Sequence, residues 1–90
     1  MPRATAEKTA VTTAPLRTAR RAWNLLHIDS PQSRRLAERA VAAAQRDGDT
    51  GAEGWARIAL GYHLLYFGTV SDAARELKRA QRCFERGDDR

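Results

Sequence analysis

Apolar residues recur through residues 55–67 at the spacing of an α-helix, and they lie on two sides of that helix. Within this run of thirteen residues only Arg57, Gly61 and His63 are not apolar. The first apolar stripe contains Trp55, Ile58, Ala59, Tyr62, Leu65 and Tyr66. The second contains Ala56, Leu60, Leu64 and Phe67. Because a helix that is apolar on two sides has to be covered on both, the pattern predicts that this helix organises the fold.

The following segment, residues 72–86, has the pattern of a helix with a single apolar stripe. That stripe is formed by Ala73, Leu77, Ala80 and Phe84. One stripe covers only one side of the preceding helix, so the other side remains for neighbouring helices, a second copy of the chain or a ligand. This surplus apolar surface is the strongest functional clue in the sequence.

Two more helices are predicted before residue 50. The first begins near Pro15 and ends near Ile28. It ends there because Ser30 is a favourable N-cap and Pro31 fits the first turn of a new helix. The second helix runs from Pro31 to about Arg46. The apolar positions are Leu16, Ala19, Trp23 and Leu26 in the first helix, and Leu36, Ala37, Ala40, Val41 and Ala44 in the second.

Glycine and threonine residues mark the remaining helix boundaries. Gly48 stops the second helix, and the spacing of Thr50 and Glu53 predicts a capping box at the start of the third. A second threonine cap, Thr69, precedes the fourth helix, which Gly87 closes. The chain is therefore predicted to be all-α, with four helices in two antiparallel hairpins and no strand.

Length and charge set limits on the domain organisation and on the partner. Residues 15–90 are predicted to form one helical domain with a modest core, and residues 1–14, which are mostly small and polar, a mobile basic tail. The net charge of +5 arises in residues 1–35, which carry seven basic and two acidic groups, since residues 36–90 carry nine of each. Because this excess of positive charge is confined to the N-terminal region and is not a property of the whole fold, it disfavours nucleic acid as the partner.

No arrangement of side chains indicates catalysis. His27 and His63 have no second metal ligand at helical spacing, and Cys83 borders an apolar stripe as a small buried residue. The sequence therefore predicts no enzyme activity, no metal site and no cofactor. No apolar stretch is long enough to cross a bilayer, no secretory signal is recognisable and one cysteine excludes an internal disulfide. A cytoplasmic location without membrane association is expected.

The second half of the chain repeats the pattern of the first at a spacing of about forty residues. Residues 37–40 align with residues 77–80, which share arginine and alanine at the third and fourth positions. Gly48 and Gly87 lie thirty-nine residues apart. A period of this length, built from helix pairs, is typical of a solenoid, with repeat units at residues 15–48 and 50–87.

Residues 53–87 resemble a tetratricopeptide repeat. The resemblance is carried by Leu60 and Gly61 on the first helix of the pair, followed by Leu64, Gly68, Ala73, Leu77 and Ala80. It implies that the two helices approach closely through small residues such as Gly61 and Ala80. The helix-packing positions that it implies are Leu60, Gly61, Leu64, Ala73, Leu77, Ala80 and Phe84.

The same resemblance implies a function in protein binding. In that family the first helix of each pair lines a concave groove, and here this helix carries the first apolar stripe. The implied partner-binding residues are Trp55, Ile58, Ala59, Tyr62, Leu65 and Tyr66. The repeat length and its Gly-Asp ending are similar to those of repeats in bacterial signalling and regulatory proteins, where an effector domain adjoins them.

Three interpretations of the aromatic stripe are open at this point: core beneath the first hairpin, dimer seam, or peptide groove. The sequence favours a protein-interaction module that self-associates, most simply as a homodimer, or docks a partner or effector domain. The alternative is a nucleic-acid-binding protein of helix-turn-helix type that uses the basic N-terminal region and the fourth helix, in which residues 72–77 resemble the first helix of the unit. That unit needs a tight turn directly after Leu77, and the following residues keep a helical pattern.

Overall fold

The computed structural model describes residues 13–88, which form four α-helices joined by short turns. They are α1 (Ala14–Asn24), α2 (Ser30–Asp47), α3 (Thr50–Phe67) and α4 (Val70–Asp88). The described residues contain no strand, so the prediction of an all-α fold with four helices in two hairpins is confirmed. The predicted tail, residues 1–14, lies outside the described residues except for Thr13 and Ala14.

α3 packs against each of the other three helices and is the centre of the fold. The first hairpin, α1 and α2, covers one side of α3, and α4 pairs with α3 in the second hairpin. The covered sides differ from the predicted stripes. Ala56 and Ala59, which the periodicity places in different stripes, both face the first hairpin. Alanine carries too little apolar surface for its position in a stripe to decide which neighbour it meets.

Aspartate residues, rather than the predicted serine and threonine, are the N-caps of α2 and α3. The Asp29 carboxylate accepts a hydrogen bond from the backbone amide of Gln32 at 3.2 Å, so Ser30 is the first helical residue and not the cap. Asp49 likewise accepts from a backbone amide of α3 at 3.1 Å, which makes Thr50 the first residue of that helix. A carboxylate interacts favourably with the positive end of the helix, which accounts for both differences.

The remaining helix ends agree with the sequence prediction in part. Thr69 caps α4 as predicted, because its hydroxyl accepts a hydrogen bond from a backbone amide of that helix at 3.1 Å. Gly48 ends α2 with φ 68°, a left-handed conformation that glycine adopts without strain. α1 ends at Asn24 rather than near Ile28, since a hydrogen-bonded turn follows it. α4 continues through Gly87, so this glycine does not end the helix.

The core between the first hairpin and α3 consists almost entirely of alanine. Three layers of buried side chains follow one another along the helices, and each takes residues from α1, α2 and α3. The layers contain Leu16, Ala44 and Ala52; Ala19, Ala40 and Ala56; and Ala22, Leu36, Ala37 and Ala59. Side chains of this size let helices approach closely. At this short distance the Ser33 hydroxyl donates to the Ala22 carbonyl of the facing helix at 2.6 Å.

Glycines allow an equally close contact between α3 and α4. A Cβ atom added at Gly61 would lie 2.7 Å from Cδ2 of Leu77 and 2.8 Å from its Cγ. This confirms the predicted close approach of the helices at Gly61. A Cβ atom at Gly54 would lie 2.8 Å from Cζ of Phe84, so Gly54 is a second contact glycine, one that the resemblance does not imply.

Gly61→Ala should lower the free energy of unfolding by about 1–3 kcal/mol, since the new methyl group would overpack the contact with Leu77. The matched control is Gly51→Ala, in the exposed first turn of α3, where the new Cβ would meet only an Asp49 oxygen at 3.9 Å. This control should leave stability unchanged or raise it slightly, because alanine favours helix. Urea unfolding of both variants provides the measurement, and equal values would show that the α3–α4 contact adapts freely.

Candidate partner-binding groove

An open groove runs along α3 between α1 and α4. It consists of a depression of about 570 Å³ beside Ile58 and Tyr62 and one of about 290 Å³ beside Trp55. Trp23 of α1 borders both depressions, so they form one surface, which we name the aromatic groove. Its apolar lining consists of Leu16, Ala19 and Trp23 from α1, Trp55, Ile58 and Tyr62 from α3, and Leu77, Ala80 and Phe84 from α4.

Aromatic rings line the groove in edge-to-face pairs. The ring centroids of Trp23 and Tyr62 lie 5.3 Å apart at 83°, and those of Trp55 and Phe84 lie 5.7 Å apart at 75°. Each pair joins two helices, which fixes the orientation of the rings. Nevertheless Trp23 is 47% exposed and Trp55 53% exposed. Large apolar side chains that are held in place and still face solvent are typical of an interaction surface.

Three of the six predicted partner-binding residues, Trp55, Ile58 and Tyr62, line this groove. Leu65, three positions beyond Tyr62 on α3, is exposed but does not line it. Ala59 does not line it, because this residue is fully buried in the alanine core against the first hairpin. The helical spacing alone could not separate Ala59 from its larger neighbours in the stripe.

Tyr66 belongs to a second group of rings at the C-terminal end of α3 rather than to the groove. Its ring packs against His27 in the turn after α1, with centroids 4.8 Å apart. The exposed ring of Phe67 contacts two others: its centroid lies 6.3 Å from that of Tyr66 and 5.1 Å from that of His63. These contacts make Tyr66 a bridge between α3 and the first hairpin.

The predicted helix-packing residues divide between the two neighbours of α3. Leu60 packs against the first hairpin, beside the core layer that contains Ala22. Leu64 is half-buried. On α4 the small residues Ala73 and Ala80 are buried, and the larger residues of the same stripe, Leu77 and Phe84, are half-buried where they meet the glycines of α3.

A buried ionic network joins α2, α3 and α4 on the side of α4 that faces away from the groove. Arg57 donates through Nε to Glu53 at 2.9 Å and through Nη1 to Glu76 at 3.0 Å. The side chains of these three residues are only 9–12% exposed. Gln45 donates to Glu53 at 3.3 Å and Arg79 to Glu76 at 2.9 Å. Glu53 therefore binds arginine and glutamine and does not complete the predicted capping box.

The sequence indicates only one of the two ion pairs that Arg57 makes in this network. Glu53 and Arg57 are four residues apart on one helix, a spacing at which opposite charges pair. Glu76 comes from another helix, so its participation depends on the fold. Burial lowers the pKa of Arg57, but the hydrogen bonds and charges of both glutamates outweigh this effect and raise the pKa overall. The guanidinium is therefore a permanent positive charge that pairs with a carboxylate of its own helix and with one of α4.

The single cysteine offers no reactive group. Cys83 is buried on α4, as the sequence analysis predicts. Burial raises the pKa of its thiol and the charge of Glu53 raises it further, against the opposing effect of Arg86. A buried thiol with a raised pKa is a poor nucleophile, so Cys83 is a packing residue.

His63 is buried against the first hairpin, and its Nδ1 atom has no hydrogen-bond partner among the described residues. Burial lowers the pKa of His63, and the charge of Arg34 lowers it further. The charge of Glu38 and a hydrogen bond with the Ser30 backbone oppose this effect without cancelling it. The folded protein therefore favours the neutral imidazole.

This burial predicts that stability falls as the pH drops below about 6.5, the ordinary pKa of histidine. In that window the unfolded chain binds a proton that folded His63 does not, and the loss stops once the pH passes the lowered pKa of the folded state. His63→Leu should flatten this part of the profile, and His27→Leu, at the exposed histidine, should retain it. Urea unfolding at several pH values provides the test, and an unchanged slope in His63→Leu would contradict it.

Comparisons of this chain with protein-family models, curated proteins and solved structures find no match. Within residues 13–88, no group of three or more histidine, cysteine, aspartate or glutamate side chains could hold a metal ion. None of the helices in this part of the chain combines the length and the apolar character needed to cross a membrane. Function is therefore inferred from the aromatic groove and its surroundings.

Proposed function

We propose that this chain is a tetratricopeptide-like protein-interaction module whose aromatic groove receives a helix. In isolation the chain self-associates by placing a second copy of itself at this groove. One observation carries the proposal. α3 fills the cleft between α1 and α2. The equivalent cleft between α3 and α4, which forms the α4 side of the aromatic groove, is open among the described residues.

The two clefts are equivalent because the two hairpins pack through matching positions. In the first hairpin Ser33 contacts Ala22, and in the second hairpin Ala73 lies next to Gly61. Ser33 and Ala73 are forty residues apart in the sequence, and Ala22 and Gly61 are thirty-nine apart. The shift of thirty-nine residues aligns Leu16, Ala19 and Trp23 with Trp55, Ile58 and Tyr62, respectively. Every residue of the first set contacts α3. No further helix within residues 13–88 covers the second set.

The expected occupant is an amphipathic helix. α3 enters the first cleft with a stripe of small residues, Ala52, Ala56 and Ala59, at spacings of four and three. A helix in the aromatic groove presents residues at the same spacing, which is the usual mode of helix recognition in an apolar groove. The two exposed indole rings, Trp23 and Trp55, provide the large apolar contacts that dominate binding energy at such interfaces.

Opposite charges on the two rims of the groove favour a second copy as the occupant. Arg20 of α1 lies on one rim and Glu85 of α4 on the other. In a two-fold dimer both copies use the same surface, and an axis that runs along the groove brings Arg20 of each copy opposite Glu85 of the other. Trp23 and Trp55 are each about half exposed, and with the other rings of the groove they form one apolar patch on the surface. Contiguous apolar patches on a protein surface often mark interaction sites.

The wider setting that we propose is a cytoplasmic bacterial regulatory or signalling protein in which the same groove docks an effector domain. The basis for this setting is the resemblance of the repeat length and Gly-Asp ending to repeats of that class. The helix-turn-helix alternative is not adopted, because α4 continues without interruption from Val70 to Asp88. A tight turn after Leu77, which that unit requires, is absent from the described helix.

A charge exchange on the two rims tests the proposed dimer. Arg20→Glu should weaken self-association about tenfold, since it places carboxylates opposite each other, and adding Glu85→Arg should restore it. Arg21→Glu is the matched control, because it makes the same charge change on α1 outside the lining of the groove. Sedimentation equilibrium gives the dissociation constants. A double variant as weak as Arg20→Glu alone would contradict the proposed geometry.

A further inference from the structure

Four arginines surround a second cavity, on the side of α4 that faces away from the aromatic groove. This cavity of about 570 Å³ lies between α4 and the turn that joins α2 to α3. Arg57 lies at its inner end, and Arg79, Arg82 and Arg86 border it along α4. We name it the arginine cleft. Its polar and cationic lining sets it apart from the aromatic groove.

The carboxylates that pair with these arginines are fewer than the arginines. Glu53 and Glu76 are both engaged by Arg57, and Glu76 also accepts from Arg79 at 2.9 Å. Arg86 lies 3.7 Å from Glu53, at the outer limit of an ion pair. The four guanidinium groups and two carboxylates leave two positive charges in excess.

Arg82 is the arginine that the ionic network does not use. It makes no ion pair with any residue that the structure describes, and it is exposed. It stands three positions from Arg79 and four from Arg86 on the same helix, spacings at which like charges repel. An anion bound in the cleft would relieve this repulsion.

We propose that the arginine cleft binds a dianionic phosphate group, either as inorganic phosphate or as a phosphate monoester. Two excess positive charges match the charge of that group. Guanidinium groups donate pairs of parallel hydrogen bonds to phosphate oxygens, which an ammonium group does not. Arg82 and Arg86 supply the donors at the mouth of the cleft, whereas Arg57 stays committed to its two glutamates. This site is independent of the aromatic groove.

The test is an NMR titration of backbone amides at constant ionic strength, with inorganic phosphate, O-phosphoserine and serine as probes. Phosphate and phosphoserine should shift the amides around Gly48 and Thr50, which line the cleft, and serine should not. Arg82→Gln should weaken phosphate binding about tenfold, as expected for loss of one charge-assisted donor. Its melting temperature should not fall, because Arg82 holds no ion pair among the described residues and its removal relieves the repulsion by Arg79 and Arg86.

Arg75→Gln is the matched control, since it removes one positive charge from α4 outside the cleft. It should weaken phosphate binding less than twofold. Equal weakening by the two variants would reduce the effect to net charge and overturn the site. Absence of shifts with both phosphate probes would overturn it as well. Binding of duplex DNA that Arg82→Gln weakens, without any binding of the small probes, would replace the phosphate site with a polyanion surface.

Discussion

Arg57→Met is expected to lower the free energy of unfolding by about 3–5 kcal/mol. The substitution removes the cation between Glu53 and Glu76 and leaves these two nearly buried carboxylates with only the more exposed Arg79 and Arg86 as counter-charges. Such a loss is a large part of the roughly 5–15 kcal/mol that stabilises a small domain. Urea unfolding followed by circular dichroism provides the measurement.

Two further variants separate the buried network from ordinary charge effects. Arg34→Met removes the arginine of an exposed pair with the same four-residue spacing, at 3.1 Å from Glu38, and should cost about 0–1 kcal/mol. Adding Glu53→Gln and Glu76→Gln to Arg57→Met should recover much of the lost stability, because no buried charge is then left unpaired. Equal losses in Arg57→Met and Arg34→Met would show that the network contributes no more than a surface pair.

The double variant Trp55→Gln, Leu65→Gln should weaken self-association by at least about 100-fold while the helical content stays unchanged. Both side chains are about half exposed; Trp55 lines the groove, and Leu65 lies three positions beyond Tyr62 on the same helix. The fold therefore keeps most of its contacts when they become polar, and it gives up the ring contact between Trp55 and Phe84. A buried aromatic or aliphatic anchor at an interface contributes about 2 kcal/mol or more, so losing two anchors supports this magnitude. The dissociation constant is measured by sedimentation equilibrium.

The control for that prediction is the double variant Ile28→Gln, Phe67→Gln. These residues are also apolar and exposed, but they lie near the turn after α1 and at the end of α3, outside the groove. Association should stay within about twofold of the original value. If the control weakens association as strongly as the groove variant, the contact surface is the end of the helical pair and the proposed groove is not the interface.

Tyr62 and Tyr66 are less suitable for this purpose, although the helical pattern draws attention to them first. Tyr62 packs edge-on against Trp23, and Tyr66 packs against His27. Each of these contacts links α3 to α1 or to the turn that follows it. Polar substitutions there would alter the first hairpin together with any interface, so a loss of association could not be assigned to the groove.

Element type and order follow from the sequence because they depend on local spacing. The single stripe of α4, the caps near Thr69 and Gly48 and the aromatic character of α3 are all local properties, and the structure contains each of them. Helix starts at Asp29 and Asp49 are harder to place, since each aspartate is followed by a residue that can also cap. Only the geometry of the first turn decides between neighbours.

The features that the sequence does not predict depend on contacts between helices. Ala59 falls in the aromatic stripe by spacing, yet it is buried because the first hairpin approaches α3 on that side. The pairing of Arg57 with Glu76 spans nineteen positions and exists only once α4 lies on α3. The same packing makes Gly54 a contact residue through Phe84. In each case the residue type is visible in advance and its neighbour is not.

The mass of the unaltered chain across a dilution series tests the central claim most directly. Sedimentation equilibrium from about millimolar to micromolar concentration should show a dimer of twice the chain mass of 10.0 kDa that dissociates to monomer on dilution. Its dissociation should depend on salt, because charged rims face each other. A mass of 10.0 kDa at every concentration would contradict self-association through the aromatic groove.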